Sequence, residues 1–335
     1  IVHSQMQFYV GVLAHSVAKR QDIPHITTVH TLYTELIDDY PLMVTAGIIA
    51  LTVALPIVLR TRPILPTASR EQLRSMSKDA VKETFSHQGW RLTAAFANKC
   101  EACISPSNHL ARILVDEGGL TAPCYVRPNG INTSLYRDAA PQDSPVEKRP
   151  GERFIISVAR LSPEKRQKAL IEAMPHIPDN RIKLVLVGGG PYENELRMRA
   201  AELGVTGRVI FTGMQPSDKV ASLLKQADVF SLASYHFDNQ PMTFLEAASS
   251  GLPIVYCDEQ MTEGLTERNS VLADGIEGED LARAFNGLFS DPERLERLSL
   301  GSLDVARDFD STTMAERMVG LYESLIRDHR ALPYR

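Results

Sequence analysis

The run Asp238-Asn-Gln-Pro-Met-Thr-Phe-Leu-Glu246, which continues to Gly251-Leu-Pro253, concentrates the residue types that do chemistry. Pro241 suits the first position of a helix. The N–H groups of Met242 and Thr243 then lack intrahelical partners and lie at the positive end of the helix dipole. That arrangement cradles phosphate. Thr243 and Glu246 are three apart and share a helix face, while Asp238 stands in the preceding loop. Carboxylates accept hydrogen bonds from hydroxyl groups, so two acids flanking a phosphate cradle suit a ligand rich in hydroxyls. A helix-surface charge is the plain alternative for Glu246. Gly251 is placed to end the helix, and Pro253 to begin the next strand.

A second cluster is Ser157-Val-Ala-Arg160-Leu-Ser-Pro-Glu-Lys165, directly after an apolar strand. Ligands of open parallel sheets bind at the carboxyl ends of strands, and two cations five residues apart across such a turn suit a diphosphate. A solvated basic turn is the alternative. Val187-Gly188-Gly189-Gly190-Pro191 closes the following strand. Three glycines let the backbone approach a ligand closely, but no Lys or Ser follows to make a Walker loop.

These residues need a frame. Apolar runs at Phe154–Val158, Leu184–Val187, Val209–Phe211, Val229–Leu232 and Ile254–Cys257 alternate with amphipathic stretches, the pattern of a parallel sheet covered on both faces. Ile1–His3, His25–Val29, Cys103–Ser105 and Cys124–Val126 repeat the theme, with helices expected over Val10–Lys19 and Asn108–Glu117. The reading is α/β, two Rossmann-like doubly wound domains facing a cleft. The first covers 1–138 with a hydrophobic insertion at about 35–100. A linker rich in Pro, Asp and Glu follows at 139–151, then the second domain over 152–315 and a closing helix over 316–335. Residue 1 is Ile, and Ile1-Val2-His3 reads as the inside of a strand, so the first domain is expected to be incomplete at its N-terminus.

The stretch Pro41–Leu59 carries no charge, follows Asp38 and Asp39, and precedes Arg60 and Arg62. Three readings stand: a membrane span, a helix lying against lipid, and a buried helix. Pro56 and Gly47 weaken a straight span.

Composition excludes several classes. With 44% hydrophobic and 23% charged residues the chain is neither disordered nor collagen-like. A net charge of -5 gives no electrostatic case for nucleic acid. Four cysteines, Cys100, Cys103, Cys124 and Cys257, are too few for a disulfide scaffold and lack zinc spacing, so they read as unpaired structural thiols.

The second half resembles the donor domain of the retaining GT-B nucleotide-sugar glycosyltransferases, family 4. The resemblance rests on Arg127-Pro-Asn-Gly-Ile-Asn132, Ser157–Lys165, Val187–Pro191, Phe211-Thr-Gly213 and Asp238–Pro253, in that order over about 200 residues. It implies that Glu246, the second acid of a Glu-x7-Glu motif, binds the ribose. Asp238, shorter than the usual Glu, would contact the transferred sugar. Arg160 and Lys165 would clamp the diphosphate, with Gly189, Gly190, Met242 and Thr243 in the donor site. The loop Phe211–Met214 would meet the base, with Met214 at its end. Arg166 stands where the family usually has Gly. In the first half, Val29-His30-Thr31-Leu32-Tyr33 resembles the strand end that sets a histidine beside sugar and acceptor, so His30 joins Asp238 and Glu246 as a candidate catalytic residue. A histidine simply satisfied at a strand end is the alternative. His3 and His25 read as structural, and the family's N-terminal glycine-rich loop is absent from this chain.

The implied activity moves a hexose from a UDP- or GDP-sugar to an acceptor with retention of configuration, and without a metal cofactor. The His30 signature is similar to that of bacterial enzymes acting on diacylglycerol or phosphatidylinositol lipids. A lipid acceptor, peripheral membrane contact and a cytoplasmic site at the inner face of the cell membrane are therefore expected. Alternatives are a non-catalytic nucleotide-sugar-binding scaffold, a transferase for a soluble acceptor, and a GT-B epimerase or phosphorylase, although nothing resembles a pyridoxal lysine site.

Overall fold

All strand pairs in the computed structural model are parallel, and they form two sheets. The structure describes residues 1–5, 8–30, 41–65, 72 and 75–331. One compact unit comprises Ile1–Pro128 and Ala315–Arg335, the other Asn129–Met314.

The first unit runs β1 (Val2–Ser4), α1 (Tyr9–Gln21), β2 (His25–Thr28), α2 (Pro41–Leu59), α3 (Lys78–Ala97), β3 (Ala102–Ser105), α4 (Asn108–Asp116) and β4 (Cys124–Val126). Its sheet order is β1-β2-β3-β4. Side chains alternate across strands, so Ile26, Ala102 and Ile104 pack with Leu321 and Leu325 of the chain's last helix. Val29 and Cys103 cluster with Trp90, Leu110 and Leu114 of α3 and α4. Both helices begin with a serine cap: Ser77 Oγ accepts from the Ala80 N–H at 3.2 Å and Ser107 Oγ from the Leu110 N–H at 3.1 Å. The uncharged stretch forms α2, whose Ile48, Leu55 and Leu59 are buried with Leu92 and Phe96 of α3. Among the described residues no helix is long and apolar enough to cross a membrane.

The second unit runs α5 (Thr133–Arg137), β5 (Arg153–Val158), α6 (Gln167–Ala173), β6 (Ile182–Val187), α7 (Glu193–Glu202), β7 (Val209–Phe211), α8 (Ser217–Gln226), β8 (Val229–Leu232), α9 (Met242–Ser249), β9 (Ile254–Tyr256), β10 (Ser270–Leu272), α10 (Gly278–Phe289) and α11 (Pro292–Arg307); α12 (Ser311–Ala331) follows. The sheet order is β10-β9-β8-β5-β6-β7. Its strands are apolar on both faces because both are covered. Ile155, Leu184, Leu186 and Val229 join one core with α6 and α10, while Phe154, Ile156, Val185 and Phe230 join another with α8 and α9. Each such side chain removed from water contributes roughly 1.5–3 kcal/mol. β5 lies between β8 and β6, so the winding of the sheet reverses there and opens a crevice at the carboxyl ends of β5 and β8.

Three features differ from the sequence reading. The units divide after Pro128, ahead of the expected linker at 139–151. Ile131 and Tyr136 pack in the second unit's core, Val146 joins them, and Lys148 Nζ bonds Asp228 at 2.6 Å. Residues from Ala315 onward, expected as a separate closing helix, belong to the first unit. Strand β10 was not anticipated.

All four cysteines are free, and Cys100, Cys103 and Cys257 are buried. His25 is also buried, 3.0 Å from Ser4 Oγ and 3.4 Å from Cys100 Sγ. Burial, then the nearby His15 and His3, depress its pKa from 6.5 to about 4. The unfolded chain takes up this proton near pH 6.5 and the folded chain only near 4, so the contribution to stability is full above about 6.5 and is lost as pH falls toward 4. The urea midpoint should drop between pH 7 and pH 5, and His25→Gln should shrink that drop. An unchanged pH dependence in the variant would remove His25 as its source.

Candidate donor site

The loop leaving β5 is fixed by its neighbour. Ala159 N donates to Val187 O and Leu161 N to Gly189 O, both at 3.1 Å. Pro163–Lys165 make a 3-10 turn, and Arg166 follows at φ 51 and ψ 30. That left-handed conformation explains why glycine suits the position, since a Cβ there costs roughly 1–2 kcal/mol. The Arg166 side chain holds the turn instead: it donates to Ile276 O at 2.7 Å and lies 3.6 Å from Glu277. Gln167, almost wholly buried, donates to Arg160 O at 2.8 Å.

Lys165 reaches across the crevice and pairs with Asp238 on the loop after β8, and its ammonium lies 4.8 Å from the centre of the Phe237 ring. The two side chains are 16% and 13% exposed. Asp238 Oδ1 takes this bond, while Oδ2 is buried without a protein partner among the described residues. Arg160 donates to Glu164 at 2.5 Å and remains 56% exposed. Burial pushes the Glu164 carboxyl up, but bonds from Ser162 and Arg160 outweigh that and hold it below its ordinary value. Both cations expected to face a diphosphate thus carry an acid partner.

α9 starts at Met242 rather than at Pro241, which takes the capping position at φ -65 and ψ 113. Phe244 N donates to Pro241 O at 3.1 Å, so the N–H groups of Met242 and Thr243 are still those that the helix leaves unpaired. The Asp238–Pro241 loop is held from two sides. Gln240 Oε1 accepts from Asn129 N at 2.8 Å and Asn129 Nδ2 at 2.9 Å, and buried Asp258 accepts from His236 N at 2.7 Å. One turn into α9, Glu246 is hydrogen-bonded to the buried Tyr136 hydroxyl. Burial raises the Glu246 pKa, and the bond from Tyr136 opposes that rise. Gln240, Asn129, Tyr136 and Glu164 were not assigned roles from the sequence. Asn129, Glu164 and Gln240 lie within motifs quoted above, while Tyr136 gave no signal in spacing.

The glycines also make room for neighbouring backbone. Gly188 sits at φ +137, and a Cβ there would lie 2.0 Å from Ala159 O; at Gly190 it would lie 2.1 Å from Leu161 O. The backbone these two approach is therefore the β5 loop. A Cβ at Gly189 would lie 3.0 Å from Cγ of Met214, which is mostly exposed, and Gly188 N donates to Gly213 O at 3.0 Å. In the first unit His30 contacts Gln5 Oε1 through Nε2 at 2.7 Å, and burial lowers its pKa. Thr31, Leu32 and Tyr33 lie outside the described residues. His3 bonds Thr28 and Tyr322, a structural role like that of His25.

Residues 139–301 match the glycosyl transferases group 1 family and residues 1–135 match glycosyltransferase family 4. The two glycosyltransferase matches follow one another along the chain, and the fold is that of the GT-B structures. It is 27% identical over 327 residues, 95% of this chain, to alpha-monoglucosyldiacylglycerol synthase of Streptococcus pneumoniae, and spans 62% of that relative's length. It is 31% identical over 189 residues to the GDP-mannose-dependent alpha-(1-6)-phosphatidylinositol monomannoside mannosyltransferase of Mycobacterium tuberculosis, covering 52% of this chain and 49% of that one. Among solved structures, Anabaena Alr3699/HepE in complex with UDP matches with a TM-score of 0.71 at 19% identity, over 96% of this chain and 78% of that one. Sucrose-phosphate synthase from Thermosynechococcus elongatus matches at 0.68 and 18%, over 97% and 73%.

The glycine contacts generate a stability test. Gly190→Ala should cost about 2–4 kcal/mol, because a carbonyl of the neighbouring loop must move, whereas Gly207→Ala, which meets open space, should stay within about 0.5 kcal/mol. Urea denaturation of both variants checks this, and equal midpoints would contradict the packing described.

Proposed function

We propose that the chain transfers a hexose from a UDP- or GDP-sugar to a membrane lipid with retention of configuration, and needs no metal cofactor. The observation that carries the reading is the Lys165–Asp238 pair at the crevice between β5 and β8, beside the open end of α9. Negative charge develops on the diphosphate as the sugar leaves. Arg160, Lys165 and the N–H groups of Met242 and Thr243 would stabilise that charge, and fixed dipoles and cations of this kind supply most of the acceleration in such reactions. Asp238 Oδ2 is a free acceptor for a sugar hydroxyl, and Glu246 accepts from the ribose. Phosphate would draw Lys165 and Arg160 from their acid partners, which couples donor binding to release of the Asp238 carboxylate. His30, Met214, Gly189 and Gly190 keep their roles from the family resemblance. The named relatives act on diacylglycerol and phosphatidylinositol lipids, which supports a lipid acceptor.

Arg160→Ala and Lys165→Ala should each lower kcat/KM by about 100-fold with a UDP- or GDP-sugar and a diacylglycerol acceptor, as loss of a transition-state charge contact does. Activity should survive EDTA, and the product's anomeric proton should show the donor's configuration by NMR. Donor binding without turnover would favour the scaffold reading. Wild-type kinetics in both variants would remove the two cations from the site.

Calorimetry then separates the two acids. Glu246→Gln should weaken binding of the bare nucleotide diphosphate, because an amide is a poorer acceptor for ribose hydroxyls, while Asp238→Asn should affect the intact sugar donor more. Equal loss for bare nucleotide in both variants would contradict this division.

A further inference from the structure

Strands β1 and β2 are parallel neighbours, with His3 opposite Ile26 and Ser4 opposite Thr27. Side chains alternate along a strand, so His3, Ile26 and Thr28 share one face of the sheet. The chain's last helix, α12, covers that face through Leu321 and Tyr322. Gln5 and His30 follow just past the ends of the two strands and meet there.

The polar side chains of this corner form one connected set. His3 is held at both ring nitrogens: Nδ1 lies 2.7 Å from the Tyr322 hydroxyl and Nε2 lies 2.6 Å from Thr28 Oγ1. The Gln5 amide nitrogen is 3.2 Å from Nε2 and 3.4 Å from Nδ1 of the same ring. In the ring plane these distances would drive it into Cε1, so it sits over the face, where its N–H meets the π cloud. The reverse setting of the amide would press oxygen lone pairs onto that negative face. Oε1 is thereby turned to His30 and lies 2.7 Å from Nε2. An amide oxygen can only accept, so Nε2 carries the proton of the His30 ring and Nδ1 is the accepting nitrogen.

We propose that Gln5 is a positioning residue for His30: backed by His3, Thr28 and Tyr322, it fixes the ring in its Nε2–H form and makes Nδ1 the nitrogen that accepts from a substrate hydroxyl. The inference rests on the transferase reading, in which His30 meets the sugar and the acceptor. Which ring nitrogen bears the proton decides what a histidine offers a ligand, and the partner of the other nitrogen sets that choice. Burial, then the neighbouring His30, lower the His3 pKa, and burial lowers that of His30, so both rings are neutral near pH 7. Burial raises the pKa of Tyr322, the other titratable group of this set, so it stays a neutral phenol. Because Tyr322 belongs to the last helix, the end of the chain supports a ring near its beginning.

The test is long-range 1H–15N NMR of the full chain labelled in histidine, with His30→Ala identifying the His30 signals. Wild type should show His30 protonated on Nε2. Gln5→Leu should give a mixture of tautomers and lower kcat about tenfold, the worth of one hydrogen bond, with the donor KM changed less than about twofold. Gln5→Glu keeps an accepting oxygen and adds a negative charge. It should hold the proton on Nε2 and raise the pH at which His30 titrates by about one pH unit or more. The acid limb of the pH–rate profile should move with it, which a loss of packing alone would not do. Wild-type His30 protonated on Nδ1 would overturn the proposal, as would a Gln5→Leu variant with the spectrum and kcat of wild type. Wild-type turnover in His30→Ala would instead overturn the part of His30 in transfer, while the tautomer measurement, which needs no substrate, still decides the part of Gln5.

Discussion

Lys165 and Asp238 are each removed from most of their water, and each offsets part of what burial costs the other. The pair joins the two loops that the sheet order brings together, one leaving β5 and the other leaving β8. Much of the surrounding structure serves that meeting. Arg166 ties the first loop to the start of α10, while Gln240 and Asp258 tie the second to Asn129 and to the segment after β9. A buried pair of this kind adds little to stability over an apolar substitute, but it fixes which loop lies against which. It also leaves one ammonium and one carboxylate close together, each able to take a different part of a ligand that bears phosphate and hydroxyls.

The glycine-rich turn after β6 serves the same end by exclusion. Gly188 and Gly190 carry no side chains because the carbonyls of Ala159 and Leu161 occupy the space. The β5 loop therefore rests on bare backbone. The turn contributes to the site by setting the height at which Arg160 and the Pro163–Lys165 turn leave the sheet.

Much of the fold was legible because parallel strands covered on both faces must be continuously apolar, as in Phe154–Val158 and Val229–Leu232. β10 was not, since Ser270-Val-Leu272 is short and lies at the sheet's edge. The stretch 139–151 has a linker's composition, but the side chains of Val146 and Lys148 bind it to the second unit. At the site, the residue types were readable singly. Asp238 and Lys165 stand 73 positions apart, and only the strand order brings them together. Tyr136 was invisible for a similar reason: its bond to Glu246 depends on α5 packing near α9, which no local pattern encodes.

The two hydrogen bonds from Asn129 to Gln240 close a loop of 111 residues. Contacts of such separation are entropically costly to make early in folding. The segment bearing Asp238 therefore takes its position from the strands beneath it, and a loop of this kind opens at lower cost than they do. Binding chemistry here is carried by loops laid over a firmly built sheet.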